Sequence, residues 1–424
     1  MSTVKIGVFG AKRGMEMINM LMGYPDAKLV AICDRHQPLL DECAEKAREH
    51  GLKIELFADF EDFFECDMDA VVLANYAVEH APYAIRFMNS GRHVLSECLP
   101  VQTMKEAVEL AETVEKTGKI YALAENCCFF KNTFEMYRRY RRGDIGEVTY
   151  AEGEYVHPME SLKEMAGFTY GDKNHWRYHI YSTYYCTHSL GPLLYITGLR
   201  PVRVIGMEVP PTDFMNQAGY NKGAAGATLI QLENGAVIKN LVGSLRKLPL
   251  IWNYQLYGTA GCMETDRWKH HMLNVYTDNE VDGVKGRSYY ECKPVFENEL
   301  TARVKGHGGA DFYATHYFIQ SILGDEEARK LSVDVYRALD MTIPGILGYR
   351  SILGGNIPID IPDFRIRECR EPYRCDIACT DPKVAGASVL PVNSFGDKNI
   401  PDSVYKMMEE LWKEGEAEKA AQQK

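Results

Sequence analysis

The chain opens with short apolar runs set between amphipathic stretches, the pattern of a parallel sheet wrapped by helices. Runs at 4–9, 28–33, 53–57, 70–74, 93–96 and 120–124 predict six strands, and the intervals carry helical spacing. Thr103-Met104-Lys105-Glu106 reads as a capping box, followed by Ala107, Val108, Leu110, Ala111 and Val114 at helical spacing and closed by Gly118. Beyond about residue 128 the period changes to strand alternation. Residues 148–156 form one such strand, and 228–232 joins 236–241 through the turn Glu233-Asn234-Gly235. Helices are predicted over 311–323 and 330–350. A final amphipathic helix is capped by Asp402 or Ser403 and carries Val404, Met408, Leu411 and Trp412 on one stripe. The polar tail 414–424 is expected to fray.

These elements predict a fold of class α/β plus α+β: an N-terminal Rossmann, doubly wound parallel sheet and a C-terminal, mostly antiparallel sheet domain. The expected domains are 1–128 for dinucleotide binding, 129–365 for substrate and catalysis, and 366–424 as an extension ending in a helix. A length of 424 residues suffices for two cores, and the apolar and charged fractions, 46% and 25%, are those of an ordinary globular protein. The net charge of -11 would repel phosphate backbones and anionic lipid, which excludes nucleic acid and membrane as partners. Met1-Ser2-Thr3 leads into an apolar strand without a basic segment and cleavage site, so a cytoplasmic location is expected. The twelve cysteines are scattered and often sit in apolar runs, as Cys33, Cys127 and Cys128 do, which reads as reduced, mostly buried thiols.

Candidate chemistry begins after the first strand. Gly10-Ala11-Lys12-Arg13-Gly14 is a glycine turn at the mouth of a helix whose amides suit a pyrophosphate. The second strand ends at Asp34, placed to accept both adenosine ribose hydroxyls; an acid there disfavours a 2′-phosphate, so NAD is expected over NADP, with Arg35 keeping NADP open. Asn75, His80 and Glu97 follow the ends of later strands, where an open sheet binds its ligand.

Near mid-chain, Asn174-His175-Trp176-Arg177 and Tyr184-Tyr185-Cys186-Thr187-His188 pack rings, an imidazole, a guanidinium and hydroxyls into a short span. That is a composition for gripping a polyhydroxylated ligand, and it makes His175, Trp176, Arg177, Tyr185 and Thr187 candidate sugar contacts. Tyr155 and His157 lie two apart on a strand and face one side. Glycines flank His307, which suits a backbone that approaches a ligand closely. No metal site is assigned. Glu154, His157, His175 and His188 are ligand types, but alternation turns Glu154 away from His157; the adjacent His270 and His271 point to opposite faces. Cys369, Cys375 and Cys379 match no zinc spacing and read as free thiols in a loop.

The layout with Glu97 at a strand end resembles the Gfo/Idh/MocA family of nicotinamide-dependent sugar oxidoreductases, whose Glu-Lys-Pro motif here becomes Glu97-Cys98-Leu99, without the lysine. Ser96-Glu97, Ala124-Glu125-Asn126, Gly146-Glu147, Glu154-Tyr155-Val156-His157, Thr187-His188-Ser189-Leu190-Gly191-Pro192, Gly306-His307-Gly308-Gly309-Ala310-Asp311 and Ile361-Pro362-Asp363-Phe364 resemble its NAD-dependent glycosidase branch, the bacterial α-N-acetylgalactosaminidases. The resemblance implies a strand over 357–364 that returns to the second sheet, catalytic roles for His188, Tyr155 and His157, cofactor contact by Asn126, and a homo-oligomer paired through the second sheet. It implies oxidation of a ring hydroxyl with His188, or else Tyr155, as base, removal of the acidified neighbouring C–H proton by Tyr155 or His157, expulsion of the glycosidic oxygen, addition of water and return of the hydride from recycling NAD. Two alternatives stand beside it: a net sugar or polyol dehydrogenase, and a sugar-sensing protein without turnover.

Overall fold

The computed structural model describes residues 3–245, 251–269, 271–281, 283, 288–296, 301 and 306–422. Six parallel strands form the first sheet: β1 (Val4–Phe9), β2 (Ala27–Cys33), β3 (Glu55–Phe57), β4 (Ala70–Leu73), β5 (His93–Ser96) and β6 (Tyr121–Leu123). Their order, β3-β2-β1-β4-β5-β6, reverses between β1 and β4 and opens a crevice at the carboxyl ends. The strands are read from sequence within two residues at each end. They are legible because a sheet covered on both faces demands continuous apolar runs, and Ala70–Leu73 is buried throughout. Helix α1 (Ala11–Leu21) follows β1 directly. Helix α2 (Met104–Thr117) has the reciprocal capping box of Thr103 and Glu106 and ends on Gly118 at φ 63°.

The second sheet contains β7 (Val148–Val156), β8 (Pro201–Val209), β9 (Ala225–Leu232), β10 (Val237–Gly243), β11 (Trp252–Gly258), β12 (Gly261–Thr265), β13 (Leu273–Thr277), β14 (Ser288–Cys292) and β15 (Ile359–Asp360). They run β14-β13-β12-β11-β7-β10-β9-β8-β15, antiparallel except for the β7 and β10 pair. Five further helices matter to the site: α3 (Leu162–Thr169), α4 (Cys186–Thr197), α5 (Ala310–Ile322), α6 (Val335–Leu353) and α7 (Asp402–Gln422). One face of the sheet is covered by α4 and α6. The other leaves Met207, Leu229, Tyr257, Tyr276 and Tyr289 exposed.

Three sequence readings change. Residues 330–350 hold two helices, Glu326–Leu331 and α6, because the Asp334 carboxylate accepts from the amides of Tyr336 and Arg337 and starts the second afresh. The strand 357–364 shrinks to β15, two residues long. Helix α7 already includes Asp402 and, instead of fraying at 414, continues to Gln422, where Lys163 on α3 pairs with Glu418 at 2.6 Å. Residues 366–424 are laid against the body: Arg370 is fully buried and pairs with Glu115 of α2, and Arg374 reaches Glu112 at 2.8 Å. All twelve cysteines are free and eight are buried. No helix among the described residues is long and apolar enough to cross a membrane.

Candidate active site

Two adjoining cavities lie at the crevice. The larger, about 1150 Å³, is walled by Gly10, Lys12, Asp34, Arg35, Asn75 and Tyr76 on the Rossmann side. Facing them are Tyr170 and His175 with Tyr405, Lys406, Trp412 and Lys419 of α7. The residues fit a dinucleotide. Gly10 sits at φ 97°, and a Cβ there would lie 2.4 Å from the carbonyl carbon of Ala74, so only glycine lets α1 begin so close to β4. The start of α1 has no acidic residue in its first turn and no side-chain cap, which leaves its positive end to the cavity. The Asp34 carboxylate accepts from the amides of Ala11 at 2.7 Å and His36 at 2.8 Å, which fixes it at the crevice with lone pairs remaining for ribose hydroxyls. Arg35 lies at the rim, 5.5 Å over the Tyr76 ring and 3.8 Å from Glu79.

Not every glycine-turn residue lines this cavity. Gly14 packs α1 onto the sheet: a Cβ there would approach Val8 Cγ1 to 2.8 Å. Ala11 is buried and acts through its amide. Arg13 lines both cavities and bridges Glu97 at 2.6 Å and Asp311 of α5 at 2.9 Å. Asp311 also accepts from Asn126 at 3.2 Å and from His307 Nδ1 at 2.8 Å, a bond that raises the His307 pKa. His80 lines the smaller cavity; its Nδ1 donates to the Leu99 carbonyl at 2.9 Å, and burial pushes its pKa down to about 4.

The smaller cavity, about 330 Å³, brings together Tyr155, His157, Trp176, Arg177, Tyr185, His188 and His307. A Cβ on Gly153 would lie 2.1 Å from the Ser189 carbonyl oxygen, so glycine on β7 is what lets α4 approach and set His188 beside Tyr155, ring centres 4.7 Å apart. The ring of Tyr185 stacks on His188 at 5.7 Å. His188 Nδ1 donates to Oε1 of Glu125, 2.8 Å away and fully buried, and Cys98 Sγ donates to Oε2 of the same carboxylate at 3.1 Å. Burial opposes the charge on Glu125, but the His188 imidazole, its hydrogen bond, and the bond from Cys98 outweigh it and hold the carboxyl below its usual pKa. His157 Nδ1 donates to the Pro158 carbonyl at 3.0 Å. Burial, chiefly, pushes the Tyr155 phenol well above its usual pKa.

Two sugar-contact candidates stand elsewhere. His175 lines the larger cavity, its ring 5.1 Å from Tyr76, and burial drops its pKa to about 3. Thr187 is fully buried and lines neither cavity, because the first turn of α4 turns it inward behind His188. Sequence reasoning missed Glu125 as a site residue, although a carboxylate ending the sixth strand was its signal. It also missed Lys222, which lines the smaller cavity, and the α7 wall, for which no local signal exists. His270 lies outside the described residues.

Residues 4–125 match the GFO_IDH_MocA model, described as oxidoreductase family, NAD-binding Rossmann fold, and residues 198–368 match glycosyl hydrolase 109, C-terminal domain. The chain thus joins an NAD-binding domain of the Gfo/Idh/MocA type to a domain of the glycosyl hydrolase 109 C-terminal type. A glycosyl hydrolase family 109 protein of Saccharopolyspora erythraea is 27% identical over 397 residues, covering 88% of this chain and 85% of the relative. The Gfo/Idh/MocA fold is shared with a levoglucosan dehydrogenase in complex with NADH (TM-score 0.69, 16% identity, 85% of this chain and all of that one). It is shared also with scyllo-inositol dehydrogenase from Lactobacillus casei with bound NAD(H) and scyllo-inositol (TM-score 0.64, 19% identity, 85% and 99%). Cys98, which stands where the resemblance expects a lysine, donates its thiol to Glu125.

Proposed function

We propose that the protein is an NAD-dependent glycosidase that cleaves a sugar–aglycone bond without net oxidation, through a transient keto-sugar. The observation that carries this is the buried set Cys98, Glu125 and His188 beside Tyr155, in a cavity that shares Arg13, Asn75, Trp176 and Arg177 with the dinucleotide cleft. The relatives named glycosyl hydrolase family 109 support it. Gly10, Asp34, Arg35, Asn75 and α7 would hold NAD, which would supply hydride acceptance and return at one ring carbon. His188 is the base for the hydroxyl on that carbon. Its Nδ1–H is committed to Glu125, so the lone pair is on Nε2, and the carboxylate stabilises the imidazolium once formed. His157 is set up in the same way by Pro158 and takes the C–H proton next to the transient ketone. Tyr155, whose raised pKa keeps the phenol protonated, donates to the departing glycosidic oxygen; water then adds across the unsaturated ketone left behind, and its reduction restores the sugar. Trp176, Arg177, Tyr185 and His307 hold the ring, while His80, Glu97 and Asn126 position the groups between the cavities.

The assay is incubation with aryl glycosides. Phenol release without added NAD and without net NADH is expected. Stoichiometric NADH from free sugar would establish the dehydrogenase reading, which the fold shared with levoglucosan and inositol dehydrogenases keeps in view. If Tyr155→Phe and His188→Ala leave every activity and sugar affinity unchanged, the site is misassigned. The reading extends to a cytoplasmic homo-oligomer, supported by the free thiols and by the open apolar face of the second sheet.

A further inference from the structure

Among the described residues, the charges lining the smaller cavity do not balance. Its single carboxylate among the described lining residues is Glu97, already bridged by Arg13 at 2.6 Å. Arg177 and Lys222 remain. Arg177 donates to the Tyr185 hydroxyl at 3.0 Å and lies 4.5 Å over the Trp176 ring, and neither contact neutralises it. Lys222, on the loop before β9, is 9% exposed; its Nζ meets the Ser244 hydroxyl at 3.3 Å. Among the described residues neither cation forms an ion pair. Burial first, and then the charge of Arg177, lowers the Lys222 pKa to about 8, with Glu208 pulling weakly the other way. Glu208 accepts from the Ser394 amide through Oε2 at 2.7 Å; its Oε1 is buried beside Gly223 without a hydrogen-bond partner, but it makes no ion pair with Lys222 and does not line the cavity.

A second observation points to a ligand. The Ser182 hydroxyl lines the same cavity, the residue is 2% exposed, and its oxygen has no hydrogen-bond partner. Buried polar groups are ordinarily satisfied, and buried cations without a counter-charge are costly. One anion entering the cavity meets both demands, whereas a neutral sugar leaves Arg177 and Lys222 without an ion pair among the described residues.

We infer that the substrate is an acidic sugar whose anionic group seats at Lys222, Ser244 and Arg177, with Ser182 as a neutral donor. The inference rests on the reading of the smaller cavity as the sugar site. Carboxylate, sulfate ester and phosphate ester share the required chemistry. A uronate fits with the least bulk, since its charge replaces the primary hydroxyl of the parent sugar.

Calorimetry on the NAD-loaded full chain tests it, with glucuronate, galacturonate, and the 6-sulfate and 6-phosphate of glucose and galactose against the two parent sugars. At least one acidic sugar is expected to bind tenfold or more tighter than its parent, and which one does so identifies the anion. Lys222→Met should collapse that ratio at least tenfold, and Lys222→Arg should retain most of it. Equal or weaker binding of every acidic sugar overturns the inference, whatever the variants do. Parallel assays with neutral and acidic aryl glycosides separate the two levels. Acidic sugars bound selectively but no aryl glycoside cleaved would sink the glycosidase reading and leave this one standing. Neutral glycosides cleaved with no acidic preference would do the reverse.

Discussion

At the scale of single residues, the site depends on how Glu125 orders its neighbours. A buried carboxylate that accepts from His188 Nδ1 sets which imidazole nitrogen is basic and stabilises the charge the ring acquires. Glu125→Gln should therefore lower kcat by about 10²–10⁴-fold, the range of a lost general base, while the purified protein keeps its NAD. Cofactor content by absorbance and steady-state kinetics check both halves. Cys98 Sγ, Glu125 and His188 bring ligand-type atoms within 4.8 Å of one another, yet hydrogen bonds already account for their arrangement. Activity is thus expected to survive a strong chelator; its loss, restored by a divalent ion, would contradict that. His80 makes a pH prediction. Its folded pKa, about 4, lies below the ordinary 6.5, so its contribution is complete above pH 6.5 and is lost as pH falls toward 4. The shift corresponds to about 3 kcal/mol at most. Denaturant melts at pH 7 and 4.5 should show a smaller acid loss in His80→Gln than in the wild type.

At the scale of elements, α7 is the unexpected part. It lies beyond residue 368, where the match to the glycosyl hydrolase 109 domain ends, yet it supplies one wall of the dinucleotide cleft through Tyr405, Trp412 and Lys419. Trp412 contacts Tyr170 at 5.2 Å, Lys12 reaches the Tyr170 hydroxyl at 2.8 Å, and Gly171 admits the α7 backbone where a Cβ would lie 2.2 Å from Glu409 N. A cofactor recycled in place needs such a wall. Trp412→Ala combined with Lys419→Ala should speed NAD release about tenfold or more, measured by loss of bound nucleotide on gel filtration. This element also marks what the sequence could convey. Local rules carried the strand ends, the capping box at Thr103, the Gly10 turn and Asp34, because each is fixed by neighbours within a few positions. They conveyed the amphipathic stripe of α7 but not the surface that covers it, since Tyr170 is more than two hundred residues away. Thr187 and Gly14 were given ligand contacts for the same reason. Rotation about a helix axis, which turns Thr187 inward and presses Gly14 on Val8, is settled by packing.

For the whole molecule, two sheets share one crevice: the parallel sheet offers its carboxyl edge, and the second sheet presents β7 and α4 to it. The far face of the second sheet exposes Met207, Leu229 and Tyr289, a patch suited to a second copy. Light scattering should give a multiple of 48.1 kDa, and Met207→Lys with Tyr289→Asp should shift it toward the monomer. Breaking a glycosidic bond through a transient ketone exchanges one ring proton with solvent. The most direct test is turnover of a cleavable aryl glycoside in D₂O, with NMR of the released sugar and absorbance at 340 nm. The account expects deuterium at one ring carbon, next to the oxidised one, with no accumulation of NADH. A product sugar with every ring C–H unexchanged would contradict it.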